Sequence, residues 1–150
     1  MNTIRAVMLP TKYGPAPELV ITVDGVALDV LLAEQLGIED LRGLVPALSS
    51  LEDAGELSVA LERFRSEGTE RTNAPVLVCP DDLDFSCSVV IAEIERSEGW
   101  VTWNRLGLDA SPPAERRVGD KVDWFAGIGP WRFPRGEYES CFNAFAALRR

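Results

Sequence analysis

The strongest constraint on the fold is the aromatic density of residues 122–148, which hold two of the four tryptophans and four of the six phenylalanines. Each such side chain buries roughly 150–250 Å², so the fold has to close around the end of the sequence. Periodicity divides this segment. Tyr138, Cys141, Phe142, Phe145 and Leu148 follow the spacing of one helix face. Glu137 and Glu139 stand near its start and Arg149 and Arg150 at its end, the order that suits a helix dipole. The stretch from Trp124 to Arg135 is bent by Gly127, Gly129 and Pro130. It reads as β pattern over Val122–Phe125 and a short strand or turn over Trp131–Phe133.

Upstream, Val76–Cys79 stops at Pro80, Ser86–Ile94 is rich in β-branched residues, and Trp100–Leu106 alternates after a hairpin loop at Ser97–Gly99. These spell an antiparallel meander. Ala110–Gly119 contains Pro112, Pro113 and several charges without periodicity and reads as a mobile loop. In the first half, Glu18–Val23 is a strand ending at the turn dipeptide Asp24-Gly25. Leu28, Leu31, Leu32 and Leu36 give a short helix with Gly37 as its left-handed cap. Ile38–Leu48 offers a further helical turn or two, interrupted by Gly43 and Pro46. Ser50-Leu-Glu-Asp53 resembles a capping box that opens a helix near 53–66, with Leu57, Ala60, Leu61 and Phe64 as its stripe; residues 66–74 form a surface connection. The expected fold is one α+β domain over 1–150, with helices in the first half and an antiparallel meander in the second closed by a C-terminal helix.

Charge and composition exclude several functions. The net charge is −9, from 24 acidic and 15 basic side chains, and there is no histidine. A field of this sign repels nucleic acid. Without histidine, hydrolase triads, His-containing zinc sites and two-His iron sites are impossible. No run of roughly 18 apolar residues is present to span a membrane, and the N-terminus does not read as a signal peptide. Three cysteines, an odd number, fit a reducing compartment, so a soluble cytoplasmic protein is expected.

Chemistry can be sought in one local cluster, Cys79, Asp81, Asp82, Asp84 and Cys87. Two thiolates and a carboxylate could bind zinc, or one thiol could be a redox centre. The spacing is not CxxC, no fourth ligand is evident, and the carboxylates raise a thiol pKa. The preferred reading is structural, with small apolar cysteines at strand ends, turn-forming aspartates, and no cofactor. Cys141 reads as core. Trp100 and Trp103 should face opposite sides of their strand. An exposed Trp100 or Trp131 would be a partner-binding anchor. Arg132 and Arg135 flank Phe133 and could hold an anionic group, or simply stack and pair.

The blocks Leu41–Leu48, Pro75–Cys87, Val101-Thr-Trp103 and Trp124–Pro130, with Phe133 and Tyr138-Glu139, resemble a group of small bacterial proteins common in actinobacteria. The shared pattern is a cysteine-bearing central turn, a Val-x-Trp strand and a Gly-Pro, Phe, Tyr-Glu ending, and it covers most of residues 41–139. The resemblance implies no established activity and no catalytic residue. Where some relatives carry Cys-x-Cys, this chain has Pro80 and Asp81, which counts against a shared metal site. In size, charge and composition the chain is also similar to immunity proteins of polymorphic toxin systems.

The favoured function is therefore a non-catalytic protein-interaction module, immunity- or antitoxin-like, whose partner is another protein and whose charge suits a basic one. A bland scaffold ranks level with it. The alternative is a small enzyme or a metal- or ligand-binding domain using the Cys79–Cys87 turn.

Overall fold

A computed structural model describes residues 1–11, 14–65, 67–68, 70–112 and 117–148. The chain opens on sheet rather than helix, and this overturns the expected division into a helical first half and a β second half. Strand β1 (Ile4–Thr11) pairs antiparallel with β2 (Gly14–Val23), and β3 (Val26–Ala27) pairs with the end of β2. The reason lies in the prolines. Pro10 and Pro17 face each other across the hairpin, and residues 14–18 are exposed, so β1 shows no clean alternation and proline masks the arm as strand. Proline is tolerated there because the arm has free edges, which it also protects from pairing with other chains. Asp24 and Gly25 have φ of 52° and 82°, as the tight turn between β2 and β3 requires.

Helix α1 (Leu28–Leu36) buries Leu28, Leu32 and Ala33 and ends at Gly37 in the left-handed conformation, whose N–H reaches the Ala33 carbonyl. The next stretch is less helical than its leucines suggest. It makes a 3₁₀ turn at Glu39–Leu41, strand β4 (Val45–Pro46) and a single turn, α2 (Ala47–Ser50). Helix α3 (Ala54–Arg65) starts three residues later than a cap at Ser50 would place it. Asp53 is the cap: its Oδ2 accepts the Glu56 N–H at 2.9 Å, and its carbonyl accepts the Leu57 N–H.

The larger sheet has six strands, with β4, β5 (Thr72–Val78), β6 (Val89–Ser97), β7 (Trp100–Asp109) and β8 (Val122–Trp124) in line. Strand β9 (Trp131–Pro134) shares the far edge of β7 with β8. Helix α4 (Arg135–Ala147) follows. Overall the protein is α+β and mostly sheet. Residues 113–116 of the expected loop, and Arg149 and Arg150 of the expected helix end, lie outside the described residues.

The core joins both sheets. Phe64 stacks on Tyr138 at 4.7 Å between ring centroids, and Trp103 meets Phe133 edge-on at 5.4 Å. Helix α4 buries Tyr138, Cys141 and Phe145, whereas Leu148 is 55% exposed. The first strand is tied to this end: the Ile4 N–H donates to Glu137 Oε1 at 2.6 Å, and the Asn2 N–H to the Arg132 carbonyl at 2.9 Å. No helix among the described residues is long and apolar enough to cross a membrane.

Candidate functional site

Strand β5 ends at Val78 because Pro80 has no N–H to continue the ladder. The chain then turns through Leu83, whose φ is 52° and whose N–H returns to the Cys79 carbonyl at 3.0 Å. Asp84 Oδ1 accepts the Ser86 N–H at 2.8 Å and its hydroxyl at 2.5 Å. The start of α3 clamps this turn from outside. Glu56 Oε2 accepts the Phe85 N–H at 3.2 Å, and the Glu52 N–H donates to the Leu83 carbonyl at 3.3 Å.

Between α3, this turn and the end of β7 lies a cavity of about 700 Å³. The carboxylates of Asp53, Glu56, Asp84 and Asp109 line it, with the guanidiniums of Arg63 and Arg117, and Val59, Phe85 and Val118 form its apolar part. Among the described lining residues, four negative groups stand beside two positive ones. The anions are fixed in place. Asp109 Oδ1 alone accepts from the Ser111 N–H at 3.3 Å, the Ser111 hydroxyl at 2.8 Å and the Gly119 N–H at 3.0 Å. Arg63 is committed to the backbone, its Nη1 donating to the carbonyls of Asn73 and Val118. On the sheet the balance differs: Glu93 and Glu95 are met by Arg71, and Glu93 also by Arg105. Asp53, Glu56, Asp84 and Asp109 thus collect at the cavity, while Glu93 and Glu95 in the middle of the sheet are paired within the molecule.

No protein-family model matches this chain, and no curated protein or solved structure is detectably similar to it. Function has to be read from the geometry.

Of the five residues in the central cluster, the fold gathers three. The Sγ atoms of Cys79 and Cys87 and a carboxylate oxygen of Asp82 lie within 4.8 Å of one another; Asp81 and Asp84 are not part of that group. All three cysteines are free thiols. Hydrogen bonding to Cys79 above all, with a smaller contribution from Asp82, holds the Cys87 thiol above its ordinary pKa.

Around β9 the candidates meet each other. Trp131 is 7% exposed, packed beside Trp103 at 6.2 Å. Trp100, on the other face of β7, is half-buried under the Arg132 guanidinium at 4.2 Å from its ring. Arg135 pairs with Glu139 at 3.4 Å and reaches the Ser97 carbonyl at the same distance.

The cavity residues carried no joint signal in the sequence. Asp53, Asp84 and Asp109 are separated by whole strands and helices; Asp84 belongs to the Cys79–Cys87 cluster and Asp53 to a capping pattern, and nothing local links either of them to Asp109.

Proposed function

We propose that this protein is a non-catalytic interaction module whose cavity beside α3 receives a basic side chain of a protein partner. The described lining supports this reading: four carboxylates held in place by backbone or hydroxyl donors, beside an apolar wall and two guanidiniums, one of them committed to backbone carbonyls. A lysine or arginine would lay its stem on Val59, Phe85 and Val118 and its charged end among the carboxylates. The net charge of −9 would speed the encounter with a basic protein. An immunity- or antitoxin-type inhibitor acting in the cytoplasm on a basic enzyme is the form this reading takes, since enzymes that hold nucleic acid are themselves basic.

The test uses a triple variant, Asp53→Asn, Glu56→Gln and Asp84→Asn. Asparagine at 53 keeps the helix cap while removing the charge. Partners captured from the native host are identified, purified and titrated calorimetrically against both proteins at several salt concentrations. The expected partner is basic, loses affinity as salt rises, and binds the variant about tenfold more weakly or worse, about 1.4 kcal/mol. A partner that binds both proteins equally would sink the reading.

A further inference from the structure

Independently of any partner, we infer that Cys79, Asp82 and Cys87 form a binding site for one thiophilic divalent cation of the zinc class. Their three donor atoms already lie within 4.8 Å of one another. Around tetrahedral zinc, sulfur at about 2.3 Å and oxygen at about 2.0–2.2 Å sit roughly 3.6–3.8 Å apart. Closing the difference takes about 1 Å of side-chain movement by residues at the surface, two of them exposed.

The strand register builds this proximity. Val78 and Val89 are cross-strand partners at the adjoining ends of β5 and β6, so the residues just beyond them are delivered to the same end of the sheet. The turn between is fastened by the Leu83–Cys79, Glu52–Leu83 and Phe85–Glu56 hydrogen bonds, which bring Asp82 back over the two thiols. A preorganised set loses less entropy on binding.

Donor chemistry selects the ion. Two thiolates and one carboxylate favour zinc, cobalt or cadmium over magnesium or calcium, which prefer oxygen alone. On binding, each thiol gives up its proton to water and its sulfur takes a metal bond, so two protons leave as the dication enters. Three protein ligands leave one position for water or an outside ligand, as in open rather than closed zinc sites.

The test is titration of the whole chain with cobalt(II), kept reduced by a non-chelating phosphine. The expected result is a thiolate-to-cobalt charge-transfer band and the visible bands of tetrahedral cobalt, saturating at one equivalent and bleached by zinc. Cys79→Ser and Cys87→Ser abolish the charge-transfer band, Asp82→Asn weakens binding roughly tenfold or more, and Cys141→Ser changes nothing. Circular dichroism confirms that each variant folds. Should a cysteine variant not fold, alkylation of the exposed Cys87 in the wild type must abolish the signal instead. No charge-transfer band at one equivalent, a band that outlives Cys87, or unaltered affinity in Asp82→Asn overturns the site.

Discussion

The guanidinium of Arg96 donates to the carbonyl of Phe64 at 2.7 Å, inside the protein. The same side chain reaches the Arg65 carbonyl at 2.9 Å and that of Arg63 at 3.2 Å. These carbonyls end α3 and have no partner within it, and a cation there meets the negative pole of the helix. Arg96, rooted in β6, thereby fastens α3 to the sheet. Arg96→Ala should lower stability by about 2–3 kcal/mol in urea denaturation, because three helix-end carbonyls, the Phe64 one buried, lose a charged donor. Arg96→Lys should recover less than half of that, since lysine lacks the planar fork. A loss under about 1 kcal/mol for the alanine variant would show the carbonyls to be satisfied otherwise.

Tyr138 shares that acceptor, its hydroxyl donating to the Phe64 carbonyl at 2.8 Å. Tyr138→Phe should cost about 1–2 kcal/mol. In a double-mutant cycle with Arg96→Ala the two losses should not add, with a coupling of at least about 0.5 kcal/mol. Additive losses would mean that the two donors act on the carbonyl separately.

Gly107 lies opposite Trp124 where β7 pairs with β8. A Cβ there would land on the Asp123 carbonyl oxygen and within 2.8 Å of both Trp124 Cα and Val122 Cγ1. Since two of these three are backbone atoms, rotamer change cannot make room. Gly107→Ala should cost about 1–3 kcal/mol and raise hydrogen exchange selectively at residues 122–124. Unaltered exchange in that strand would contradict the close approach.

Burial, with a smaller push from the Glu137 charge, raises the Cys141 thiol to about 12 from its ordinary 9.0. The folded state thus keeps a proton that the unfolded state releases, so this contribution is whole below pH 9.0 and declines as pH rises toward 12. Cys141→Ala should flatten the fall in melting temperature across that window, whatever it does to stability at neutral pH. In native protein at pH 8, mass spectrometry should find thiol-reagent adducts on exposed Cys87 and on Cys141 only after unfolding. Native labelling of Cys141, or an unchanged alkaline slope, would count against its burial.

Much of the second half could be read because local pattern and tertiary role agree there. The α4 stripe of Tyr138, Cys141 and Phe145, the loop at Ser97–Gly99 and the β7 strand each obey the period of the element they form. In the first half the Glu18–Val23 strand, its Asp24-Gly25 turn and the Leu28–Leu36 helix capped by Gly37 agree with their local pattern, but the first hairpin arm and the stretch from Ile38 to Asp53 resist the same reading. In the β1–β2 hairpin, proline and exposed residues erase alternation, and the pairing that makes it a sheet is visible only in three dimensions. Ser50 imitates a cap three residues before Asp53 provides one. Arg96 bears no mark of burial, since its acceptors are backbone carbonyls some thirty residues away, at separations of 31 to 33. The turn around Cys79 and Cys87 was legible, but which aspartate stands beside the two thiols is set by the path of that turn in three dimensions.

The hydrogen bond between Ile4 and Glu137 spans 133 residues, which has a bearing on synthesis. When β1 leaves the ribosome it can pair with β2, but the helix that covers its base is not made until every strand of the larger sheet has followed. Contacts so distant in sequence close late and at high entropic cost. The nascent hairpin therefore waits uncovered, and the prolines along its edges guard it for that interval.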